Sequence, residues 1–462
     1  MSQTDSPLGT APVGKLVLQL AIPAMLAQFV NILYSVVDRM YVGHIAEVGA
    51  DALAGVGVCA PVVTMITAIG ALIGFGGGPL MSIRMGRRDM DGARQIAANS
   101  FYLLLALSVL ATVPLLVFRR QILFTFGCSE ALWPYAEAYF TTYVSGTVFA
   151  VLSYGLNQIT MSQGFSSTAM RSVMLGAAVN IALDPVFIFA LDMGVRGAAL
   201  ATVIGQIFGM ALGLWGVFRQ QKVLNVNMRE FKWRGQTIKD IYRVGLPGIV
   251  MQSVVSVMTA GMNGILIAFS QTAVNVLGVY FKLQTFVFMP VFGLNQGALP
   301  VMGYNYGARN RKRLMGAYKI TLTAAVVIMA LGLVLFQLLP EQMLMLFVDK
   351  SDAAAAQKMI EVGVPALKTI SLSFLGAAFG IINSTLFQAT ARGMNSLIVS
   401  VCRQLVVILP AAWILGQQFG LNAVWYAFPI AEIAAFFISY ILLWREYRTE
   451  LRFLGIEREA KA

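Results

Sequence analysis

Apolar stretches recur along the whole chain at about 17–42, 52–80, 94–118, 132–160, 168–190, 196–218, 241–269, 273–301, 316–339, 356–386, 394–416 and 420–444, separated by polar or Gly/Pro-containing breaks. A helix needs about 20 apolar residues to cross the hydrocarbon core of a bilayer. The pattern therefore predicts an all-α integral membrane fold of twelve transmembrane helices. One long polar connection, 219–240, carries Arg219, Lys222, Arg229, Lys232, Arg234 and Lys239 and reads as a cytoplasmic linker. The expected organisation is a cytoplasmic tail (1–16), an N-terminal six-helix bundle (17–218), the linker (219–240), a C-terminal six-helix bundle (241–444) and a second cytoplasmic tail (445–462).

The two halves read as copies. Residues 20–28, LAIPAMLAQ, correspond to 244–252, VGLPGIVMQ, so Pro23 matches Pro247 and Gln28 matches Gln252. Pro79 and Gly86 match Pro300 and Gly307, Gln163 matches Gln388, and Pro185 matches Pro410. Six spans is an even number, so both copies enter from the same side and are related by an axis along the membrane normal. Two parallel six-helix repeats around a central cavity are expected.

Composition agrees: 58% of the 462 residues are hydrophobic and 12% charged, half the charge of an ordinary soluble domain. Too little polar surface remains to cover a globule of this size, and lipid must face the rest. Residues 1–14 lack the basic n-region and short apolar core of a cleavable signal, so none is expected. The net charge of +12 is scattered between apolar runs rather than gathered on one face, which argues against nucleic acid. Topology explains it: 24 of the 33 Lys and Arg fall at the termini and after even-numbered spans. The positive-inside rule then puts both termini in the cytoplasm.

Acidic side chains inside spans are costly and by default functional. Asp38 in span one and Asp184 in span five stand out. Gln28, Asn31, Ser35 and Asp38 are spaced by 3, 4 and 3 residues, a helical stripe about 80° wide. Asn180 and Asp184 are one turn apart, and Pro185 removes the amide that would bond the Ile181 carbonyl, so the helix can bend there. Counting residues from the outer span ends places Asp38, Asp184, Thr202 and Tyr139 at similar depth, roughly 6–11 Å below the boundary. Two carboxylates in one low-dielectric pocket cannot both stay ionised unaided, and a proton or a hard monovalent cation resolves the conflict. Asn180 and Thr202 add the neutral oxygens that Na⁺ prefers, so a coupling-ion site at Asp38, Asn180, Asp184 and Thr202, with Tyr139, is expected. Against this stand a structural ion pair between Asp38 and Arg39, packing roles for Asn180 and Thr202, and an interfacial role for Tyr139.

The second half lacks these carboxylates: Asp38 aligns with Met262 and Asp184 with Leu409. It carries Lys282, Arg403 and Glu432 within spans, for which a compensating pair such as Lys282 with Glu432 and a cavity-facing role are both open. Spans seven and eight are rich in Met and aromatics, including Met262, Tyr280, Phe288 and Met289, a composition able to repack around varied apolar ligands. Gln28, Asn31, Met262, Lys282, Met289 and Glu432 are candidates for a substrate cavity. GTAPVGK (9–15) matches only the start of a phosphate-binding loop, with Leu16 in place of Ser or Thr, and supports no ATP chemistry.

Twelve spans in two copies, Pro23 and Asp38 in span one, Asn180 with Asp184–Pro185 in span five, and FMPVFGLNQGALPVMGYNYGAR (288–309) together resemble a multidrug and toxic compound extrusion (MATE) transporter. The resemblance covers about 15–445. It implies secondary active export of amphipathic, often cationic compounds across the cell membrane in exchange for inward H⁺ or Na⁺, by a monomer without cofactor, ATP or nucleic acid. It also implies ion coupling in the first bundle through Asp38, Asn180, Asp184 and Thr202, with Tyr139. The acidic residues another branch uses in the C-terminal bundle have no match at Met262. The alternatives are a lipid-linked oligosaccharide flippase of related architecture, a passive channel, and an acid/base enzyme, the last lacking a nucleophile or metal-ligand set.

Overall fold

The computed structural model describes residues 6–217, 232–347 and 353–455. All regular elements among them are helices. Leaving aside helices shorter than eight residues, those of the first half are α1 (Val13–Gly43), α2 (Gly49–Phe75), α3 (Gly77–Gly86), α4 (Met90–Val117), α5 (Trp133–Ser145), α6 (Thr147–Ser162), α7 (Ser166–Pro185) with a π-helical turn Val186–Ala190, and α8 (Gly194–Trp215). The second half repeats the order with α9 (Gly235–Ile267), α10 (Gln271–Gly307), α11 (Arg311–Leu338), α12 (Ala353–Ser371), α13 (Phe374–Ala389), α14 (Gly393–Val401), a π-helical stretch Cys402–Val407, α15 (Ile408–Phe419) and α16 (Ala427–Thr449).

Ten of these segments, α2 with α3 counted as one, are long and apolar enough to cross a bilayer, and α12 with α13, bent by 47°, makes an eleventh. The remaining predicted span, 132–160, is realised as α5 and α6, two pieces broken at Gly146. A Cβ at Gly146 would lie 2.5 Å from Cγ2 of Val203, so the break lets this segment sit close against α8. Leu110, Val113, Val117, Leu331 and Leu338 are exposed on the long helices, a surface suited to acyl chains and costly in water.

Several boundaries differ from the sequence reading. α1 begins at Val13, inside the expected tail; α9 begins at Gly235, inside the expected linker; and α16 runs on to Thr449. Helical hydrogen bonding continues past the apolar stretch into polar residues, which hydropathy does not register. Residues 1–5, 219–231 and 456–462 of the expected tails and linker lie outside the described residues. The described residues of Gln19–Leu246 cluster as one compact unit and those of Pro247–Ala462 as another, with Pro12–Leu18 joining the second.

The same turn recurs after the second membrane segment of each half. Arg88 and Arg309 adopt left-handed backbone (φ 62° and 53°). Asp89 N–H then donates to the Arg84 carbonyl at 3.0 Å and Asn310 N–H to the Asn305 carbonyl at 2.9 Å, closing the helix ends. The side chains of Asp89 and Asn310 cap the next helix by accepting from the amides of Gly92 and Arg313, at 2.8 and 3.1 Å.

Candidate functional site

Close packing of α7 on α8 assembles the polar centre of the first unit. Gly176 and Gly205 meet where the helices cross: a Cβ at Gly205 would lie 2.5 Å from the Gly176 carbonyl oxygen and 3.3 Å from Asn180 Cβ. One turn further, Ser172 Oγ donates to the Gly209 carbonyl at 2.7 Å. Small residues at this spacing let helix backbones approach in lipid. The approach brings Asn180 of α7 to Thr202 of α8.

Asn180 Nδ2 donates to Asp184 Oδ1 and to Thr202 Oγ1, each at 3.3 Å. Thr202 in turn donates to the Ala198 carbonyl at 3.0 Å. Asp184 has no exposed surface, and Asn180, Thr202, Asp38 and Tyr139 are all buried. Asp38, one turn from the end of α1, lies within electrostatic reach of Asp184 and of Tyr34 and Tyr139. Its neighbour Arg39 is exposed, and no ion pair joins the two among the described residues. Tyr139 stacks on Tyr143 with ring centres 5.9 Å apart. Gln206 Nε2 donates to the Tyr143 hydroxyl at 3.4 Å.

The bonding leaves an excess of acceptors. Asp38 Oδ1, Asn180 Oδ1, Asp184 Oδ2 and Gln206 Oε1 are buried and have no hydrogen-bond partner among the described residues. All are hard oxygens, the donor type suited to a proton or an alkali cation. The five expected residues are thus gathered in one unit. Tyr34, Tyr143 and Gln206 were missed, although each lies one helical turn from a residue already named: Asp38, Tyr139 and Thr202 respectively.

Of the expected substrate residues, Gln28 and Asn31 fall in the first unit and Met262, Lys282, Met289 and Glu432 in the second. Gln28 and Asn31 are half-buried on α1. Met262 has no accessible surface, so it packs inside its bundle rather than lining open space, and Met289 is nearly as buried. Lys282 is exposed, with its ammonium 5.7 Å from the Phe347 ring centre. Glu432 pairs with Arg403 at 3.2 Å, not with Lys282. Arg403 comes from the π-helical stretch and Glu432 from α16, while glycines of α13 leave room for both: a Cβ at Gly376 would lie 2.9 Å from Glu432 Cβ.

The MatE family profile matches residues 23–186 and 247–414, one copy in each half. The multidrug export protein MepA of Staphylococcus aureus (strain MSSA476) is 24% identical, covering 94% of both chains. A multidrug resistance MATE family transporter of the MOP superfamily, solved in an outward-facing conformation, is 28% identical with a TM-score of 0.87, covering 97% of this chain and 98% of that one. A MOP superfamily transporter from Pyrococcus furiosus Vc1 is 27% identical with the same TM-score, 0.87, and the same coverage. With the profile matched in both halves and the fold shared from end to end, this membrane protein belongs to the MatE family.

Proposed function

We propose that this protein is a secondary active multidrug exporter that expels amphipathic, often cationic compounds in exchange for inward H⁺ or Na⁺, with Asp38, Asn180, Asp184, Thr202 and Tyr139 forming the ion-coupling site. The reading places it in the cell membrane with both termini cytoplasmic, acting as a monomer by alternating access without ATP. Export as the activity is supported by likeness to MepA, named a multidrug export protein.

The observation that carries the coupling site is the acceptor excess: buried Asp38 Oδ1, Asn180 Oδ1 and Asp184 Oδ2 lack donors within one unit. Two carboxylates in low dielectric repel each other, and a bound proton or Na⁺ removes the repulsion. Half a turn of the Asn180 amide exchanges Nδ2 for Oδ1, which turns a donor to Asp184 into a ligand for a cation. α1, α7 and α8 supply Asp38, Asn180, Asp184 and Thr202, with Tyr139 from α5, so ion uptake changes how α1, α7 and α8 pack. Transport against a gradient follows only if the ion favours one facing state over the other; equal affinity for both would move nothing uphill.

The test is efflux of a fluorescent cation from proteoliposomes, with Na⁺ and pH gradients imposed separately. Wild-type protein is expected to export under one of the gradients, while Asp184→Asn inserts normally and exports at the leak rate. Undiminished gradient-driven export by Asp184→Asn would overturn the assignment.

A further inference from the structure

We propose that Arg403 is the resident cation of a latent ion site in the second unit, and that its tethered charge bars this copy from exchanging ions with solution; this rests on the reading of Asp38, Asn180, Asp184 and Thr202 as the coupling site of the first. At the spacing that matches Gln163 with Gln388 and Pro185 with Pro410, the counterparts of Asn180, Asp184 and Thr202 are Leu405, Leu409 and Ala427. The oxygen ligands are lost there, but charge returns close by on the corresponding pair of spans. Arg403 stands two residues before Leu405, and Glu432 directly follows Ala431, the counterpart of Gln206. The two spans run in opposite directions, so both displacements lead toward the same membrane surface and leave the charges level with each other.

Arg403 Nη1 donates to Glu432 Oε1 at 3.2 Å, with the two side chains only 22% and 13% exposed. Arg403 lies in the π-helical stretch Cys402–Val407, and the matching span of the first copy also carries a π-helical turn, Val186–Ala190. Such turns are frequent at functional sites. The acceptor excess of the first unit recurs here in smaller form. Glu432 Oε2 and, on the residue next to Arg403, Gln404 Oε1 are buried without a hydrogen-bond partner among the described residues. Gln404 Nε2 is turned to Ser400 Oγ at 3.1 Å, which leaves its oxygen as the spare group. α13 borders the pair with Gly380 instead of a side chain: a Cβ there would lie 3.7 Å from Arg403 Nη1 and 3.8 Å from Glu432 Oε2.

A carboxylate within a span needs a counter-charge in either copy. In the first copy the counter-charge comes from solution and can leave again. In the second it is carried on a side chain, and a group tethered beside its partner has an effective concentration that free ions at millimolar levels do not overcome. Shortening the side chain at 403 removes the tethered cation and leaves Glu432 facing the vacated volume beside Gly380. An alkylguanidinium refills that volume, and a proton or Na⁺ satisfies the charge alone.

Two measurements on the full-length protein in detergent test this. The first counts the Na⁺ or protons bound per protein in an Asp184→Asn background, where the site of the first unit is removed. None is expected with Arg403 intact, one in Asp184→Asn/Arg403→Ala, none in Asp184→Asn/Arg403→Lys, whose ammonium replaces the guanidinium, and none once Glu432→Leu is added to the Arg403→Ala protein. Ion binding that survives Asp184→Asn alone and does not depend on Glu432 contradicts the coupling site of the first unit, while the increment caused by Arg403→Ala still reads the second. The second measurement titrates ethylguanidinium chloride calorimetrically, against NaCl at equal ionic strength. Arg403→Ala should bind it saturably and gain melting temperature, with wild type and Arg403→Ala/Glu432→Leu at least about tenfold weaker. If Arg403→Ala does not stay folded on purification, Arg403→Gln carries the same comparison. No added ion in either Arg403 variant, an added ion that persists after Glu432→Leu, or an equal ethylguanidinium response in Arg403→Ala/Glu432→Leu would overturn the assignment.

Discussion

Asp184 has no exposed surface and one of its oxygens has no donor, so its neighbours decide what it can bind. Asn180 bridges it to Thr202 with two long hydrogen bonds of 3.3 Å, an arrangement that a cation can displace. Asn180→Ala removes the bridge and is expected to weaken coupling-ion affinity by about tenfold while costing about 1 kcal/mol of stability. Ion-titrated fluorescence and thermal melting of the purified variant measure the two effects separately. Thr202→Ser keeps the hydroxyl and should retain most of the ion affinity, whereas Thr202→Val should lose it. The pairing of Asn180 with Asp184 was legible from the chain because residues four apart share a helix face. The Tyr139 and Tyr143 stack was not, since an aromatic near a span end reads equally well as an interfacial anchor. The pairing of Arg403 with Glu432 also escaped, because three intramembrane charges on three elements permit more than one pairing and only the fold selects one.

Helix crossings set the geometry of the site. The α7–α8 crossing depends on Gly205, where a methyl group would fall 2.5 Å from the Gly176 carbonyl oxygen, and backbone cannot yield as a side chain can. Gly205→Ala is therefore expected to part the helices, destabilise the protein by about 1–3 kcal/mol and weaken ion coupling although no ligand is removed. Thermal melting and gradient-driven efflux check both consequences. The Arg403–Glu432 pair gives a contrasting case. Breaking this half-buried pair leaves one charge unpaired in a low-dielectric setting, so Glu432→Gln should cost about 1–3 kcal/mol, and Arg403→Met/Glu432→Leu should recover most of it. If the double variant also regains export, the pair serves packing; if stability returns without export, the charges act in transport. Most spans were legible because ten segments remain continuous and apolar. The span divided at Gly146 looked continuous in hydropathy, and its break follows from contact with Val203, a residue far along the chain.

Across the whole chain, the repeated order of helices, the matching turns at Arg88 and Arg309, and the family profile in both halves describe one six-span pattern used twice. The copies differ in chemistry. The first holds buried carboxylates that form no ion pair among the described residues, whereas the corresponding positions of the second are Met262 and Leu409, and its half-buried Glu432 pairs with Arg403. This asymmetry confines the proposed coupling to the first copy, so neutralising Glu432 together with Arg403 should leave ion binding intact while changes at Asp38 or Asp184 abolish it. The most direct measurement is the proton release or Na⁺ uptake that accompanies ion titration of the purified protein in weakly buffered detergent, compared among wild type, Asp38→Asn, Asp184→Asn and Arg403→Met/Glu432→Leu. The account predicts saturable binding in wild type and in the Arg403/Glu432 variant, and none in either aspartate variant. Binding of unchanged amplitude in Asp38→Asn and Asp184→Asn would contradict it.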